Sequence, residues 1–145
     1  MADAKEFLSP EEENAIVAAI GQAEKDTSGE IRVHIEKNAG KPPVERAQEV
    51  FQQLGMHNTE ARNGVLFYVG VKDQSFAIVG DEGIDKVVED DFWDCTKDIV
   101  IGHFKEKRFG QGLVDGILRA GERLKTYFPF ADSDTNELPD TISRG

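Results

Sequence analysis

The fold is decided by two apolar segments, Val65-Leu66-Phe67-Tyr68-Val69-Gly70-Val71 and Ser75-Phe76-Ala77-Ile78-Val79-Gly80. The first is almost entirely apolar, which is typical of a central strand that is covered on both faces. Only Lys72-Asp73-Gln74 lies between the two segments. A connection this short predicts an antiparallel hairpin.

A third strand is predicted upstream, in Glu30-Ile31-Arg32-Val33-His34-Ile35-Glu36, where apolar and polar residues alternate. This alternation indicates one apolar face and one wetter face. A helical pattern from about Pro43 to Leu54 separates this strand from the hairpin. A strand, helix, strand unit is normally a right-handed parallel crossover, so we expect a mixed sheet.

Three further helices complete the predicted domain. Ser9-Pro10-Glu11-Glu12 has the residues of a capping box and opens a helix that runs to about Asp26. Another helix is predicted from Asp90 or Asp91, both candidate N-caps, to about Lys105. The last is predicted from about Gly110 to Tyr127.

The element order is α-β-α-β-β-α-α, and it predicts a three-layer α/β/α sandwich around a small mixed sheet. We assign residues 1–130 to this domain. The remaining residues, 131–145, are polar and acidic, and we expect them to be a disordered tail.

Composition narrows the classes of function. The net charge of −11 argues against nucleic acid and anionic membranes as partners and favours cations. No apolar run approaches the ~20 residues that span a bilayer, and the first six residues do not resemble a signal peptide. We therefore expect a cytoplasmic monomer. The single cysteine, Cys95, excludes an internal disulfide, and we expect it to be a small buried apolar residue.

The segment from Gly80 to Asp94 is the most unusual, because it carries seven carboxylates and one lysine, Lys86. Crowded carboxylates repel each other unless they face water, take up protons or share a cation. One interpretation is a site for a hard cation with oxygen ligands. The other is a solvated acidic loop that also caps a helix. The spacing is not that of an EF-hand loop.

The predicted topology places further oxygen ligands beside this segment. The starts of the two parallel strands and the end of the hairpin lie at one rim of the sheet. A cation there, calcium first and magnesium second, would draw on several loops. The candidate metal ligands are Glu30, Asn58, Glu60, Asn63, Asp81, Glu82, Asp85, Glu89, Asp90 and Asp91.

The opposite rim carries the carboxyl ends of the parallel strands, where α/β proteins usually bind ligands. It contains residues 36–43 and the turn at 72–74, and neither shows a recognisable motif. Lys37 and Lys41 carry positive charges that could bind an anion, but two lysines in a loop are more typical of a solvated surface.

Several motifs in this order resemble the TPM domain, a family named after a thylakoid lumen protein, a photosystem II-associated protein and a nematode receptor modulator. The similarity covers about residues 8–129. The segments that carry it are Gly29–Glu36, Arg62-Asn63-Gly64-Val65-Leu66, Val79-Gly80-Asp81-Glu82-Gly83-Ile84, Asp91-Phe92-Trp93, Phe104-Lys105-Glu106 and Phe109-Gly110-Gln111-Gly112-Leu113.

The resemblance implies an α/β/α sandwich that binds divalent cations near its acidic loops, and it implies acid phosphatase activity by analogy with plant relatives. Many relatives carry a signal peptide, a membrane helix or a low-complexity tail, whereas we expect this chain to be a stand-alone domain.

The predicted function is a divalent-cation-binding domain whose rim becomes ordered for an unidentified protein partner. A metal-dependent phosphatase is the alternative, with metal held by Asp81 or Asp85 and phosphoryl oxygens bound by Arg32, Arg62 or Lys86. A scaffold domain without a specific ion is the third possibility.

Overall fold

The computed structural model describes residues 8–57, 62–72, 74–89, 91–129 and 142–144. In chain order its elements are α1 (Pro10–Asp26), β1 (Glu30–Glu36), α2 (Pro43–Gln53), β2 (Gly64–Gly70), β3 (Ser75–Gly80), α3 (Glu82–Asp85), α4 (Asp94–Lys105), α5 (Phe109–Leu124) and β4 (Ile142–Arg144). Within these ranges, none of the helices is long and apolar enough to cross a bilayer.

The sheet has the strand order β3-β2-β1-β4. β1 and β2 are parallel, with Glu30 opposite Gly64 and Glu36 opposite Gly70. β2 and β3 form the antiparallel hairpin that the sequence predicts. The crossover through α2 and the mixed character of the sheet are both confirmed.

Two apolar cores lie on opposite faces of the sheet and confirm the three-layer α/β/α sandwich. The larger core lies under α1, α4 and α5, and includes Ile31, Val33 and Phe67. The smaller core joins α2 to Leu66 and Tyr68. Every residue of β2 is buried, as the apolar run predicts.

The capping box at the start of α1 is also confirmed. The hydroxyl of Ser9 accepts a hydrogen bond from the backbone N–H of Glu12 at 3.1 Å. The Glu12 carboxylate in turn accepts from the backbone N–H of Ser9 at 3.0 Å. Its second oxygen accepts from the N–H of Gly110 at 3.0 Å, so the same side chain joins the starts of α1 and α5.

Two predicted helix limits are wrong. α4 begins at Asp94, and the residue at its N-cap is Trp93, without a side-chain cap. The start lies later because Phe92 turns into the core and packs edge-to-face on Trp93, with ring centroids 4.7 Å apart. α5 ends at Leu124, three residues before the predicted Tyr127, and the carbonyl of Phe128 then accepts a hydrogen bond from the Ser28 N–H at 2.9 Å.

Cys95 is exposed, so the prediction that it is a buried apolar residue is wrong. Thr96 takes the inward position on α4 and is almost completely buried. The helical period allowed either residue to face the core, and Thr96 lies on the buried face of α4 with Val100.

Residues 142–144 lie in the segment that the sequence analysis expects to be a disordered tail. They form β4, which pairs in parallel with β1 and places Ile142 opposite Val33. Ile142 packs against the larger core, so one apolar residue in a polar segment secures the pairing. Residues 130–141 lie outside the described residues.

Glycines let α5 pack closely against α1 and α4. A Cβ atom at Gly121 would lie 2.6 Å from the Cβ of Ala23 and 2.9 Å from its Cα. One at Gly116 would lie 2.5 Å from a methyl group of Val100. By contrast, a Cβ at Gly102 of α4 would meet nothing within 4 Å.

We expect Gly121→Ala to lower the free energy of unfolding by about 1–3 kcal/mol, because α1 must move to accept the methyl group. The matched change Gly102→Ala should raise it by about 0.5–1 kcal/mol, because alanine favours the helix and nothing obstructs it. Urea unfolding of the two variants and the unchanged protein measures both effects. Two stabilising substitutions would show that α1 and α5 pack less closely than the structure indicates.

Candidate metal site at the acidic rim

The predicted meeting of loops at one rim of the sheet is confirmed. The first residue of β1, Glu30, lies opposite the first residue of β2, Gly64. The last residue of β3, Gly80, lies opposite Val65, one position further along β2. Residues 27–30, 62–64 and 80–89 therefore lie together, and we call them the acidic rim.

Asp81 is the buried carboxylate at the centre of the acidic rim, with 6% of its side chain exposed. It is the N-cap of α3, and its Oδ1 accepts a hydrogen bond from the Glu82 N–H at 2.7 Å. Its own N–H donates to the carbonyl of Gly64 at 2.9 Å. The start of β2 and this helical turn thus fix the position of the carboxylate.

Arg62 neutralises Asp81 through a two-pronged ion pair. Its Nε donates to Oδ2 of Asp81 at 3.0 Å, and its Nη2 donates to Oδ1 at 3.2 Å. A third nitrogen, Nη1, lies 3.3 Å from a carboxylate oxygen of Glu82. The hydrogen bond to Asp81 raises the pKa of the Arg62 guanidinium. The guanidinium of Arg62 therefore compensates part of the negative charge that the crowded carboxylates bring to this loop.

The backbone of Arg62 is unusual as well. Its φ of 51° lies in the left-handed region, which residues other than glycine and asparagine rarely adopt. Its carbonyl accepts the N–H of Gly83 at 2.9 Å. Arg62 thus connects the loop before β2 to α3 through both its backbone and its side chain.

Asp85 lies on the same helical turn and is exposed at the surface. Partial burial raises the pKa of its carboxyl, and the negative charge of Asp81 raises it further. The carboxyl groups of Asp81 and Asp85 are therefore close enough to interact.

The other predicted ligands lie in different surroundings. Glu30 and Asn63 are buried beneath the rim, where the Asn63 carbonyl accepts the N–H of Glu30 at 3.3 Å and its side-chain amide donates to Ser28 at 3.3 Å. Glu82, Glu89 and Asp91 are exposed. Asn58, Glu60 and Asp90 lie outside the described residues.

In the arrangement described, the rim does not present a ready-made metal site. Among the residues that the structure describes, no three histidine, cysteine, aspartate or glutamate side chains are grouped closely enough to hold a metal ion. Both oxygens of Asp81 face Arg62. A cation could use Asp81 only after the guanidinium has moved away.

A second buried ionic cluster lies at the end of β1 on the α2 side of the sheet, and the sequence analysis did not find it. The carboxylate of Glu36 accepts hydrogen bonds from Arg46 Nε at 2.7 Å and Nη2 at 2.9 Å. It also accepts from the Tyr68 hydroxyl. Burial alone would raise the pKa of Glu36, but hydrogen bonds from Arg46, Tyr68 and His34 lower it to about 2.

His34 completes this cluster. Its Nε2 lies 3.2 Å from Glu36, and its ring stacks on Tyr68 with centroids 6.1 Å apart. Burial lowers the pKa of His34, and the hydrogen bond to Glu36 offsets part of that effect. The sequence indicated a wetter strand face, but both His34 and Glu36 are buried. The signal in the sequence that could have revealed this cluster was the alternation of polar residues along β1.

The chain is similar to known proteins in both sequence and fold. The model of the TPM domain family matches residues 1–123. The solution structure of the BA42 protein from the psychrophilic bacterium Bizionia argentinensis is 54% identical, covers the whole of both chains and superposes with a TM-score of 0.92. No curated protein sequence matches the chain.

Two more distant solution structures share the fold alone. The N-terminal domain of a P. gingivalis protein is 20% identical with a TM-score of 0.67, over 84% of this chain and 79% of that one. The N-terminal domain of a Corynebacterium glutamicum protein is 12% identical with a TM-score of 0.62, over 93% of this chain and 79% of that one.

The Glu36 cluster gives a testable pH dependence. Because its folded pKa of about 2 lies below the ordinary 4.5, its ionised form stabilises the fold above pH 4.5, and this contribution is lost as the pH falls towards 2. Glu36→Gln should lower the free energy of unfolding by about 3 kcal/mol at pH 7. The difference in the free energy of unfolding between this variant and the unchanged protein should shrink steadily as the pH falls from 5 to 2, measured in unfolding experiments.

Glu49→Gln is the matched control, because Glu49 also contacts Arg46 but has an exposed carboxylate. It should change stability much less, with little dependence on pH. A Glu36→Gln deficit that stays constant down to pH 2 would mean that its charge does not stabilise the fold.

Proposed function

The chain belongs to the TPM domain family, and from this premise we propose that it is a divalent-cation-binding domain whose acidic rim takes calcium in preference to magnesium. Binding exchanges one cation for another, because the metal takes the place of the Arg62 guanidinium at Asp81. The domain then presents an altered rim to a protein partner.

The observation that carries this proposal is the ion pair between a buried carboxylate and an accessible arginine. Asp81 is 6% exposed, whereas the Arg62 side chain is 40% exposed. A carboxylate this buried needs a positive partner, because leaving it uncompensated costs several kcal/mol. The exposed guanidinium can move into water at little cost, so a metal ion can replace it.

Ligand chemistry supports calcium. Asp81 is the N-cap of α3, and Glu82 and Asp85 are its first and last residues. Partial burial raises the pKa of Asp85, and the charge of Asp81 raises it further. Calcium accepts 6–8 oxygens in irregular arrangements, including carbonyls and water, whereas magnesium requires a near-ideal octahedron. A turn with a few carboxylates and open sides suits the more tolerant ion.

Exchange also supplies a mechanism of regulation. In the structure, Arg62 is engaged by Asp81 and Glu82. Metal binding would release the guanidinium, a strong donor to carboxylates on another protein. The feature that a protein partner would recognise is therefore the released Arg62 guanidinium beside a bound cation.

The alternative of a metal-dependent phosphatase has less support. Arg62, one of its predicted cationic groups, is engaged by two carboxylates and so is not directed at a substrate. We therefore propose binding rather than catalysis. Hydrolysis of p-nitrophenyl phosphate that needs calcium or magnesium and disappears in Asp81→Asn would reverse that choice.

Calcium at about 100 times its dissociation constant should stabilise the protein by about 2.7 kcal/mol, measured as a rise in Tm. Asp81→Asn should abolish the rise, because the amide cannot replace the charge. Asp98→Asn, which removes one exposed charge from α4, should keep it. An equal calcium response in all three proteins would reduce the effect to general screening.

Replacing Arg62 provides the sharper test, because the two possible roles of this residue predict opposite results. If Arg62 competes with calcium for Asp81, its removal strengthens calcium binding, and if it holds the site in shape, its removal weakens binding. Arg62→Gln should lower the Tm without metal, yet raise calcium affinity about twofold to fivefold, as expected for loss of an exposed ion pair. Arg62→Lys, which keeps the charge, is the matched control and should bind calcium much like the original. Amide NMR titrations measure the affinity and should show saturable shifts near residues 80–89. Weaker calcium binding by Arg62→Gln would contradict the exchange.

A further inference from the structure

A large cavity lies at the rim of the sheet opposite the acidic rim. It has a volume of about 910 Å³ and lies between the turn that joins β2 to β3 and the turn that joins α4 to α5. Its lining includes Val69 and Gly70 at the carboxyl end of β2. This is where α/β sheets usually bind ligands, although the sequence of this rim showed no recognisable motif.

The wall of the cavity is apolar and largely aromatic. Phe76 and Phe104 pack edge-to-face with ring centroids 5.6 Å apart, and Phe104 packs on Phe109 in the same way at 5.4 Å. Ile101 and Val69 extend this surface. The phenylalanines come from β3, α4 and α5, so the wall is part of the folded domain.

The mouth of the cavity is basic as far as the described residues show, because the charged residues among its lining are all lysines, in a protein with a net charge of −11. Lys72, Lys105 and Lys107 line it, and all three are exposed. None of them forms an ion pair with a carboxylate of the described residues. Glu106, the neighbour of two of these lysines, is engaged by Arg108 instead.

The turns that carry this mouth have unusual backbone conformations. Gln74 and Lys107 have φ values of 55° and 62°, in the left-handed region. Together with Arg62 they are the non-glycine residues with positive φ in the described part of the chain. Such conformations cost free energy and often occur at functional sites.

We infer that this cavity binds a small anion with an apolar body, the chemistry of a long-chain carboxylate or an alkyl phosphate. The phenylalanine wall takes the apolar chain and the lysines take the charged head. The volume lies within the roughly 300–1,000 Å³ of small-molecule sites, which favours such a ligand over a protein surface. The site is separate from the acidic rim and does not depend on cation binding.

Isothermal titration with dodecanoate, below the concentration at which it forms micelles, tests the site. Dodecyl phosphate and dodecanol have the same chain with a different head or no charge. We expect saturable binding of one dodecanoate per chain, and at least tenfold weaker binding of dodecanol. Comparison with dodecyl phosphate shows which anionic head the lysines prefer.

Lysine variants test where the head binds. Lys72→Gln, Lys105→Gln and Lys107→Gln should each weaken dodecanoate binding about threefold, and the triple variant by more than tenfold. Because these side chains are exposed, the variants should fold, which an unchanged Tm verifies. Lys86→Gln, at the acidic rim, removes the same charge elsewhere and should not affect binding.

Two results would overturn the inference. Equal affinity for dodecanol and dodecanoate, unchanged in the triple lysine variant, would leave only a non-specific apolar surface. Absence of saturable dodecanoate binding would show that the cavity is not a site for this class of ligand.

Discussion

The structure depends on the burial of both faces of the sheet. β2 is buried along its whole length, so helices must cover it from two sides, and the three layers follow. The same constraint applies to β1, whose polar residues face α2. Burying Glu36 and His34 is tolerable only because Arg46 and Tyr68 are placed to satisfy them. The ionic cluster is thus a consequence of covering a strand that still carries polar side chains.

Glu36 and Asp81, two buried carboxylates among the described residues, each have an arginine partner, but the two pairs have different properties. Glu36 receives hydrogen bonds from three side chains, and its arginine is 23% exposed. Among the side chains that the structure describes, Arg62 is the one that donates to Asp81, whose Oδ1 also accepts from the Glu82 backbone N–H, and Arg62 is 40% exposed. Removing one partner of a buried pair is costly, and the cost is lower when a substitute cation can enter from solvent. The Glu36 pair therefore stabilises the fold, whereas the Asp81 pair is the one that the proposed exchange would use.

Periodicity predicted the parts of the fold that depend on local pattern. The hairpin, the existence of strand β1 and the capping box at Ser9 all follow from residues close in sequence. The rim was also predictable, because the direction of the strands determines which loops meet. The features that were missed depend on residues far apart. β4 pairs with β1 across more than a hundred residues, and the start of α4 is determined by how Phe92 enters the core.

The candidate site was predicted in position but not in chemistry. The sequence located the crowded carboxylates, yet it could not show that Arg62, 19 residues before Asp81, would turn back across the rim to pair with it. Charge counting treats each side chain as solvated, whereas the fold selects particular partners. The lysine-lined cavity was missed for the same reason. Lys72 lies in the turn after β2, whereas Lys105 ends α4 and Lys107 follows it, and the packing of α4 against β3 brings them together.

The two rims are best regarded as independent sites. They are joined by β2, whose seven residues span about 20 Å at 3.3 Å per residue. That distance exceeds the screening length of about 8 Å at physiological salt, so a charge change at Asp81 has little electrostatic effect on the distant lysines. Mechanical coupling needs an element with two discrete arrangements. A strand that is buried on both faces and paired along both edges is poorly suited to that role, so exchange at Asp81 should affect the loops of the acidic rim and leave the cavity unchanged.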